Sequence, residues 1–132
     1  MPLANLVRLR PPYTNLLRPY PMPDGEELRF LVQNAAVGVP GRIGDIKRSD
    51  FEYAMAVNVT APLMLTQKLL PKLQKSHGSR ILHIGTNIAF GPQLGTATYG
   101  ITKMAFHRLY EQLKVDLKGT GVSIGSAHPG TT

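Results

Sequence analysis

The chain has 132 residues, of which 42% are hydrophobic and 17% charged, and its formal net charge is +7. These proportions indicate a globular domain rather than a disordered chain, and the length suits one domain with a modest core. No apolar run approaches ~18 residues, so the sequence predicts no membrane span. The absence of cysteine excludes disulfides and thiolate metal sites and favours a reducing compartment such as the cytoplasm.

The positive charge is not concentrated in one place. Residues 1–23 carry three arginines and no acid, and the rest of the chain has twelve Lys/Arg against eight Asp/Glu. Neither part interleaves aromatic residues with arginine, as proteins that bind single strands do. The four histidines show no metal-ligand spacing. We therefore expect neither a nucleic-acid partner nor a metal site.

Residues 1–25 are rich in proline. They hold six of the eleven prolines in the chain, and each proline fixes φ and removes a backbone donor. An Arg-rich start without acids resembles an import signal, but Pro11 and Pro12 would break the amphipathic helix that such signals form. We expect a poorly ordered N-terminal arm at 1–25, followed by a folded domain at 26–132.

The rest of the chain alternates apolar runs with amphipathic stretches. The apolar runs predict buried parallel strands near 29–34, 80–86 and 121–127. Residues with helical spacing predict long helices near 49–76 and 96–118. This order predicts an α/β fold in which right-handed crossovers join three parallel strands and the long helices flank the sheet.

The ends and faces of the helices can also be predicted. Ser49 or Asp50 can cap the first helix, and Gly78 can end it. In the second helix, apolar residues recur every four positions and predict the buried face: Ala97, Ile101, Ala105, Leu109 and Leu113.

The spacing Tyr-x-x-x-Lys occurs twice in the second predicted helix, at Tyr99/Lys103 and at Tyr110/Lys114. Ligands of open α/β sheets bind beyond the carboxyl ends of the strands, and this helix begins at that edge. Tyr110 follows Tyr99 by about 16 Å along the helix axis, at 1.5 Å per residue. We therefore expect Tyr99/Lys103 to reach the ligand edge and Tyr110/Lys114 to be structural. The alternative, that both are ordinary surface pairs, stays open at this point.

Five motifs, in order and on the expected elements, resemble those of the short-chain dehydrogenase/reductase family. They are Gln-Asn-Ala-Ala after the first strand, Val-Asn-Val in the long helix, Thr86 ending the second strand, Tyr99-x-x-x-Lys103, and His-Pro-Gly after the third strand. The resemblance runs from Leu28 to Gly130. It implies part of a three-layer Rossmann-like fold and an NAD(P)-dependent interconversion of small alcohols and carbonyl compounds.

The resemblance also implies roles for single residues. Tyr99 would exchange a proton with the substrate oxygen, and Lys103 would favour the ionised phenol and hold the nicotinamide ribose. A free tyrosine has a pKa of ~10, so a nearby cation is needed for this role near neutral pH. Thr86 stands where the family usually has serine. Its hydroxyl can still donate to a substrate oxygen, although its methyl group narrows the space.

Asn58 and the cofactor contacts complete the implied site. Pro62 cannot donate to the carbonyl four residues earlier, so the Asn58 carbonyl is expected to bind a water, as the family's asparagine does in a proton relay to the lysine. Asn34 keeps the polar side chain that can tie neighbouring strands, while Gln33 departs from the family pattern. The residues expected to contact the nicotinamide half of the cofactor are Asn34, Ala35, Tyr99, Lys103, Pro129 and Gly130.

The family's glycine-rich phosphate turn, Thr-Gly-x-x-x-Gly-x-Gly, does not occur in the sequence. The glycines at 38–44 follow the wrong strand with the wrong spacing. We therefore expect one wall of a nucleotide crevice and weak or no binding of NAD or NADP by this chain alone. Two hypotheses follow: a truncated oxidoreductase, inactive alone, or a non-catalytic chain that associates with itself or with a full-length relative through its two long helices.

Overall fold

The structure is a computed structural model and describes residues 27–129, so the predicted arm at 1–25 and Gly130 lie outside it. Its main elements are β1 (Phe30–Gln33), α1 (Arg48–Met55), α2 (Ala61–Lys75), β2 (Arg80–Ile84), α3 (Ala97–Asp116) and β3 (Ser123–Ala127). A π-helical turn, Ala56–Thr60, joins α1 to α2, and a 3-10 turn, Asn87–Ala89, follows β2. The predicted α/β class, with three parallel strands and long helices, is confirmed.

The three strands form one parallel sheet in the order β1-β2-β3. Gln33 and His83 are register partners on adjacent strands, so their side chains point to the same face. Gln33 donates to the Pro62 carbonyl of α2 at 3.2 Å, and the His83 ring stacks on Phe106 of α3 at 4.2 Å. Both helices therefore cover one face, as right-handed crossovers between neighbouring parallel strands require. Residues 27–129 hold the sheet and one helix layer of a three-layer fold.

The apolar core lies between this face and the carboxyl-terminal halves of α2 and α3. Leu73 of α2 and Ile81 of β2 are fully buried, and burying side chains of this size contributes roughly 1.5–3 kcal/mol each. The buried members of the cluster come from all three strand regions and from α2 and α3: Leu31, Leu73, Ile81, Leu113, Leu117 and Val122. Within residues 27–129, no helix has both the length and the apolar composition to cross a bilayer.

The predicted N-cap of the first helix was wrong, although the helix begins within one residue of its predicted start. Helix α1 begins at Arg48, Lys47 occupies the N-cap position, and no side chain makes a cap hydrogen bond there. Ser49 and Asp50 therefore lie inside the first turn instead of before it. Asp50 still suits that place because its carboxylate complements the positive end of the helix dipole.

The predicted buried face of α3 was wrong at Ile101, which is 48% exposed. The first half of α3 packs against polar groups at the carboxyl edge of the sheet, and only its second half reaches the leucine-rich core at Leu113. The apolar pattern therefore misplaced the buried face of the first half. The buried residues of that half are Thr98, Thr102, Lys103 and Phe106.

Strand β1 leaves one face and one edge of the sheet open. Phe30 and Val32 alternate with the buried Leu31 and Gln33, and their exposed fractions are 66% and 55%. Among the described residues β1 is an edge strand, and it contains no proline or charged residue that would discourage pairing with another chain. An apolar edge of this kind is a template for aggregation.

We expect Val32→Lys to reduce aggregation of the chain. A charge on this exposed edge strand opposes pairing with a second strand without disturbing the buried face. Light scattering of the purified chain at increasing concentration would measure the effect. Val115→Lys, at a position on α3 that is 71% exposed, is the matched control. Equal scattering from the two variants would contradict the role given to β1.

Candidate active site

The helix that carries Asn58 contains the π-turn. Pro62 has no N–H to donate to the Asn58 carbonyl, and its ring crowds that carbonyl. The pattern of backbone hydrogen bonds in the helix changes here: the Ala61 N–H donates to the Ala56 carbonyl, five residues earlier, instead of to the carbonyl four residues earlier. Such turns are rare in helices and occur frequently at functional sites. The water-binding role of the Asn58 carbonyl stays a prediction.

The side chain of Asn58 holds the loop that follows β1. Its Oδ1 accepts from the Val37 N–H and its Nδ2 donates to the Val37 carbonyl, both at 2.8 Å, in the manner of a neighbouring β-strand. Nδ2 also donates to Thr102 Oγ1 at 2.9 Å. Asn58 is 1% exposed, so losing any of these bonds would leave a buried partner unpaired. Asn58 thereby ties the π-turn, the loop and α3 together.

The same loop packs against Tyr99. The Gly41 N–H donates to the Gly95 carbonyl at 3.0 Å, which anchors the loop just before α3. A Cβ on Gly38 would lie 3.6 Å from two carbons of the Tyr99 ring, so the loop backbone lies directly beside the phenol ring. Tyr99 stands in the first turns of α3 and is half-buried. The loop and the helix start together limit where the phenol group can lie.

Thr86 caps the 3-10 turn that follows β2. Its Oγ1 accepts from the Ile88 N–H at 3.3 Å. A hydroxyl that accepts in this way keeps its own proton for donation. The half-buried Thr86 side chain can therefore donate to a substrate oxygen while its backbone position is held by the turn.

Lys103 is buried, with 3% of its surface exposed. Its Nζ donates to the Ile84 carbonyl at 3.1 Å and lies 4.0 Å from the centroid of the Phe106 ring. Among the described residues no carboxylate forms an ion pair with it. Burial lowers the pKa of Lys103 to about 8, because removal from water disfavours the ammonium form. The amine can therefore change its protonation near neutral pH.

Thr86 and Lys103 line one small, partly open cavity between the sheet edge and α3. A Cβ on Gly85 would lie 2.8 Å from the His128 ring, so glycine is needed for that ring to pack against the end of β2. The other residues that line the cavity are His83, Gly85, Ala89, Phe106, His107, Tyr110, Ser126 and His128.

Tyr110 belongs to the packing around this cavity. Its ring lies 5.5 Å from that of His107 and 6.1 Å from that of His83, and the Lys114 Nζ is 5.3 Å from its centroid. Tyr99 makes a different contact, with the Gly38 loop. The two Tyr/Lys pairs therefore have different surroundings. Tyr110 nevertheless lines the same cavity as Thr86 and Lys103, although it lies further along the helix than Tyr99.

The predicted cofactor-contacting residues lie at the ends of strands. Asn34 and Ala35 are exposed after β1, and Pro129 is exposed after β3. The buried side chain at this strand end is that of Gln33, which ties β1 to α2 because its Nε2 donates to Thr66 Oγ1 at 3.1 Å as well as to the Pro62 carbonyl. Gln33 follows Leu31 by two residues, and this alternation is the signal that could have revealed it.

A larger groove of about 760 Å³ lies on the outer side of α3. Neither Tyr99 nor Lys103 lines it, so it is separate from the predicted catalytic groups. Its apolar walls include Ile43, Leu94 and Met104, with exposed fractions of 84%, 77% and 48%. Across the part of the chain that the structure describes, no cluster of three or more His, Asp or Glu residues is placed to hold a metal ion.

Comparisons with known proteins agree on one family. A family model described as short chain dehydrogenase matches residues 23–132. The 2,3-dihydro-2,3-dihydroxybenzoate dehydrogenase of Escherichia coli is 28% identical over 107 residues, which are 81% of this chain and 43% of that protein. Dehydrogenase/reductase SDR family member 4 of Homo sapiens is 29% identical over 102 residues, which are 76% of this chain and 37% of the human protein.

Solved structures show the same likeness. RhlG of Pseudomonas aeruginosa, in an active-site complex with NADP, superposes with a TM-score of 0.74 at 28% identity, over 80% of this chain and 43% of RhlG. The landomycin C-6 ketoreductase LanV, with bound NADP and rabelomycin, gives 0.73 at 27% identity, over 80% of this chain and 42% of LanV. The chain thus spans less than half the length of the relatives that it matches.

We expect Lys103→Met to stabilise the fold at pH 7. Burial places the folded-state pKa near 8, below the ordinary 10.5, so the fold carries the full cost of the buried ammonium below pH 8. That cost decreases as the pH rises from 8 towards 10.5. Above pH 8 the folded chain is neutral at Lys103, and near pH 10.5 the unfolded chain loses its proton at this site too, so the two states no longer differ. After allowance for solvent screening, the gain at pH 7 is on the order of 1–2 kcal/mol.

Denaturant unfolding at pH 7 and near pH 10.5 would measure this gain and its loss. The exposed Lys114→Met is the control, and its effect is expected to stay within about 0.5 kcal/mol. A destabilising Lys103→Met at pH 7 would show that the ammonium group is structural.

Proposed function

Because the chain belongs to the short-chain dehydrogenase family, we propose that it carries the catalytic groups of an NAD(P)-dependent oxidoreductase that interconverts a small alcohol and a carbonyl compound. The observation that carries the proposal is the burial of Lys103. An ammonium group without a carboxylate partner among the described residues lies one helical turn after Tyr99. Strongly perturbed lysines of this kind cluster at functional sites.

In the direction of carbonyl reduction, Tyr99 donates a proton to the carbonyl oxygen as that oxygen gains charge. The Thr86 hydroxyl donates a hydrogen bond to the same oxygen and orients it. The Lys103 ammonium favours the ionised phenol that remains. A bound nicotinamide supplies the hydride. The side-chain amide of Asn58 keeps the loop beside Tyr99 in place. The backbone carbonyl of Asn58 is the proposed site of a relay water.

The described residues fit the nicotinamide half of the cofactor. Asn34, Ala35 and Pro129 are exposed at the carboxyl ends of strands, and the loop backbone at Gly38 packs beside the Tyr99 ring. NADP in two of the similar structures supports NAD or NADP as the cofactor. The sequence contains no glycine-rich turn for the pyrophosphate. We therefore propose that residues 1–132 alone bind the dinucleotide weakly or not at all.

Lack of cysteine supports a cytoplasmic location.

The catalytic proposal is best tested in a chimera that joins residues 27–132 to the phosphate-binding half of a family member. NADH- or NADPH-dependent reduction of small ketones is expected from the chimera, and none from residues 1–132. Tyr99→Phe is expected to lower kcat at least 100-fold, because the proton donor is lost. Tyr110→Phe is the matched control and should change kcat less than three-fold. A chimera that keeps its rate after Tyr99→Phe would reverse the assignment.

A second candidate function is association without catalysis. The observation that favours it is the apolar groove on α3, whose exposed Leu94 and Met104 could pack on another copy or on a full-length relative. We expect Met104→Lys to weaken any discrete dimer in sedimentation velocity. The experiment uses the Val32→Lys background, so that aggregation through β1 does not obscure it. A dimer that is unchanged by Met104→Lys would remove this candidate.

A further inference from the structure

The small cavity beside Thr86 and Lys103 has room for one small molecule. Its volume is about 10 Å³, at the lower limit of what the centre of one water requires. Most of its accessible lining is apolar, and the polar groups among its walls are the hydroxyl of Thr86, the ammonium of Lys103, and the Ser126–His128 pair, whose Oγ and Nε2 atoms are 3.2 Å apart. A site with this volume and these partners suits a water better than an apolar group.

His83 is the most deeply buried polar residue of the cavity wall, with 1% of its surface exposed. Neither ring nitrogen makes a hydrogen bond of good geometry with another described residue. Phe106 covers one ring face at 4.2 Å with an angle of 10° between the planes. Buried donors and acceptors without partners cost about 1–3 kcal/mol each, so a native fold rarely leaves both nitrogens of one ring unsatisfied.

The imidazole of His83 is neutral at ordinary pH. Burial first, and then the positive charge of Lys103, lower the pKa of His83 to about 4, and a backbone contact with Phe106, too poorly aligned to count as a hydrogen bond, opposes this to a smaller extent. A neutral imidazole presents one donor and one acceptor, and a water can serve either nitrogen while it accepts from an ammonium group. The other titratable groups around the cavity are those of His107, Tyr110 and His128. The Nε2 atom of His107 lies 3.7 Å from Oε1 of Glu111.

We propose that this cavity binds one buried water molecule, held by His83 and shared with Lys103. His83 is then a positioning residue: it acts on Lys103 through the water rather than on the substrate. The meaning of this contact for catalysis rests on the proposed function, but the water site itself does not. The water would stabilise the ammonium form of Lys103, because it offers that group an acceptor besides the Ile84 carbonyl.

The test uses NMR on the complete chain, in which water-to-His83 ring magnetisation transfer and the titration of the Lys103 amine are both followed. A long-lived water contact is expected in the wild type. His83→Phe keeps the ring stack but removes both nitrogens, so we expect loss of the contact and a Lys103 pKa lower by at least half a unit, a roughly three-fold change in its ionisation ratio. His77→Phe, at an exposed histidine, is the control and should change neither readout.

His83→Gln supports the test if His83→Phe does not fold, because its amide can still bind the water and should retain the contact. Absence of a long-lived water contact in the wild type would overturn the proposal. An unchanged Lys103 titration in His83→Phe, or in His83→Leu if the first variant does not fold, would overturn the positioning role. A failure of the proposed oxidoreductase function would show only in the chimera's turnover and would leave these NMR results unaffected.

Discussion

The burial of one ammonium group, that of Lys103, governs the arrangement of the carboxyl edge of the sheet. The Ile84 carbonyl and the Phe106 ring solvate this cation in place of water. The contact to Ile84 sets how α3 lies over β2, and the contact to Phe106 extends through the stacked ring of His83 into the centre of the sheet. Thr86, two residues after Ile84, is brought beside the same amine by this geometry.

A fold selected for stability alone would not place a lysine here. An apolar side chain of similar length would fill the same space without the desolvation cost, and natural proteins accept such costs mainly where function needs them. Thr98 is a further example, since its buried hydroxyl has no hydrogen-bond partner among the described residues. The mostly polar buried face in the first half of α3 thus costs stability, which the leucines on the buried face of its second half offset.

The sequence could predict the order and type of the elements, because the spacing of apolar residues follows directly from strand and helix geometry. The sequence also predicted that Thr86 and Lys103 lie close together, because Thr86 ends a strand and Lys103 lies in the first turns of the helix that follows. The side-chain contacts of Asn58 and Gln33 could not be predicted. Each joins segments more than twenty residues apart, and no local pattern records which backbone group a buried amide will meet. Ile101 was misplaced because apolar spacing cannot distinguish a core from an apolar groove on the surface.

The π-turn also has a consequence for the long helix as a whole. The single extra residue in this turn rotates the side chains after Thr60 by about 100° around the helix axis, relative to an uninterrupted α-helix. The two halves of the helix are therefore out of phase: α1 and α2 each turn their own buried residues towards the molecule, although no single straight stripe connects them. The helix thus meets two different neighbours, α3 before the turn and the sheet after it, without an intervening loop.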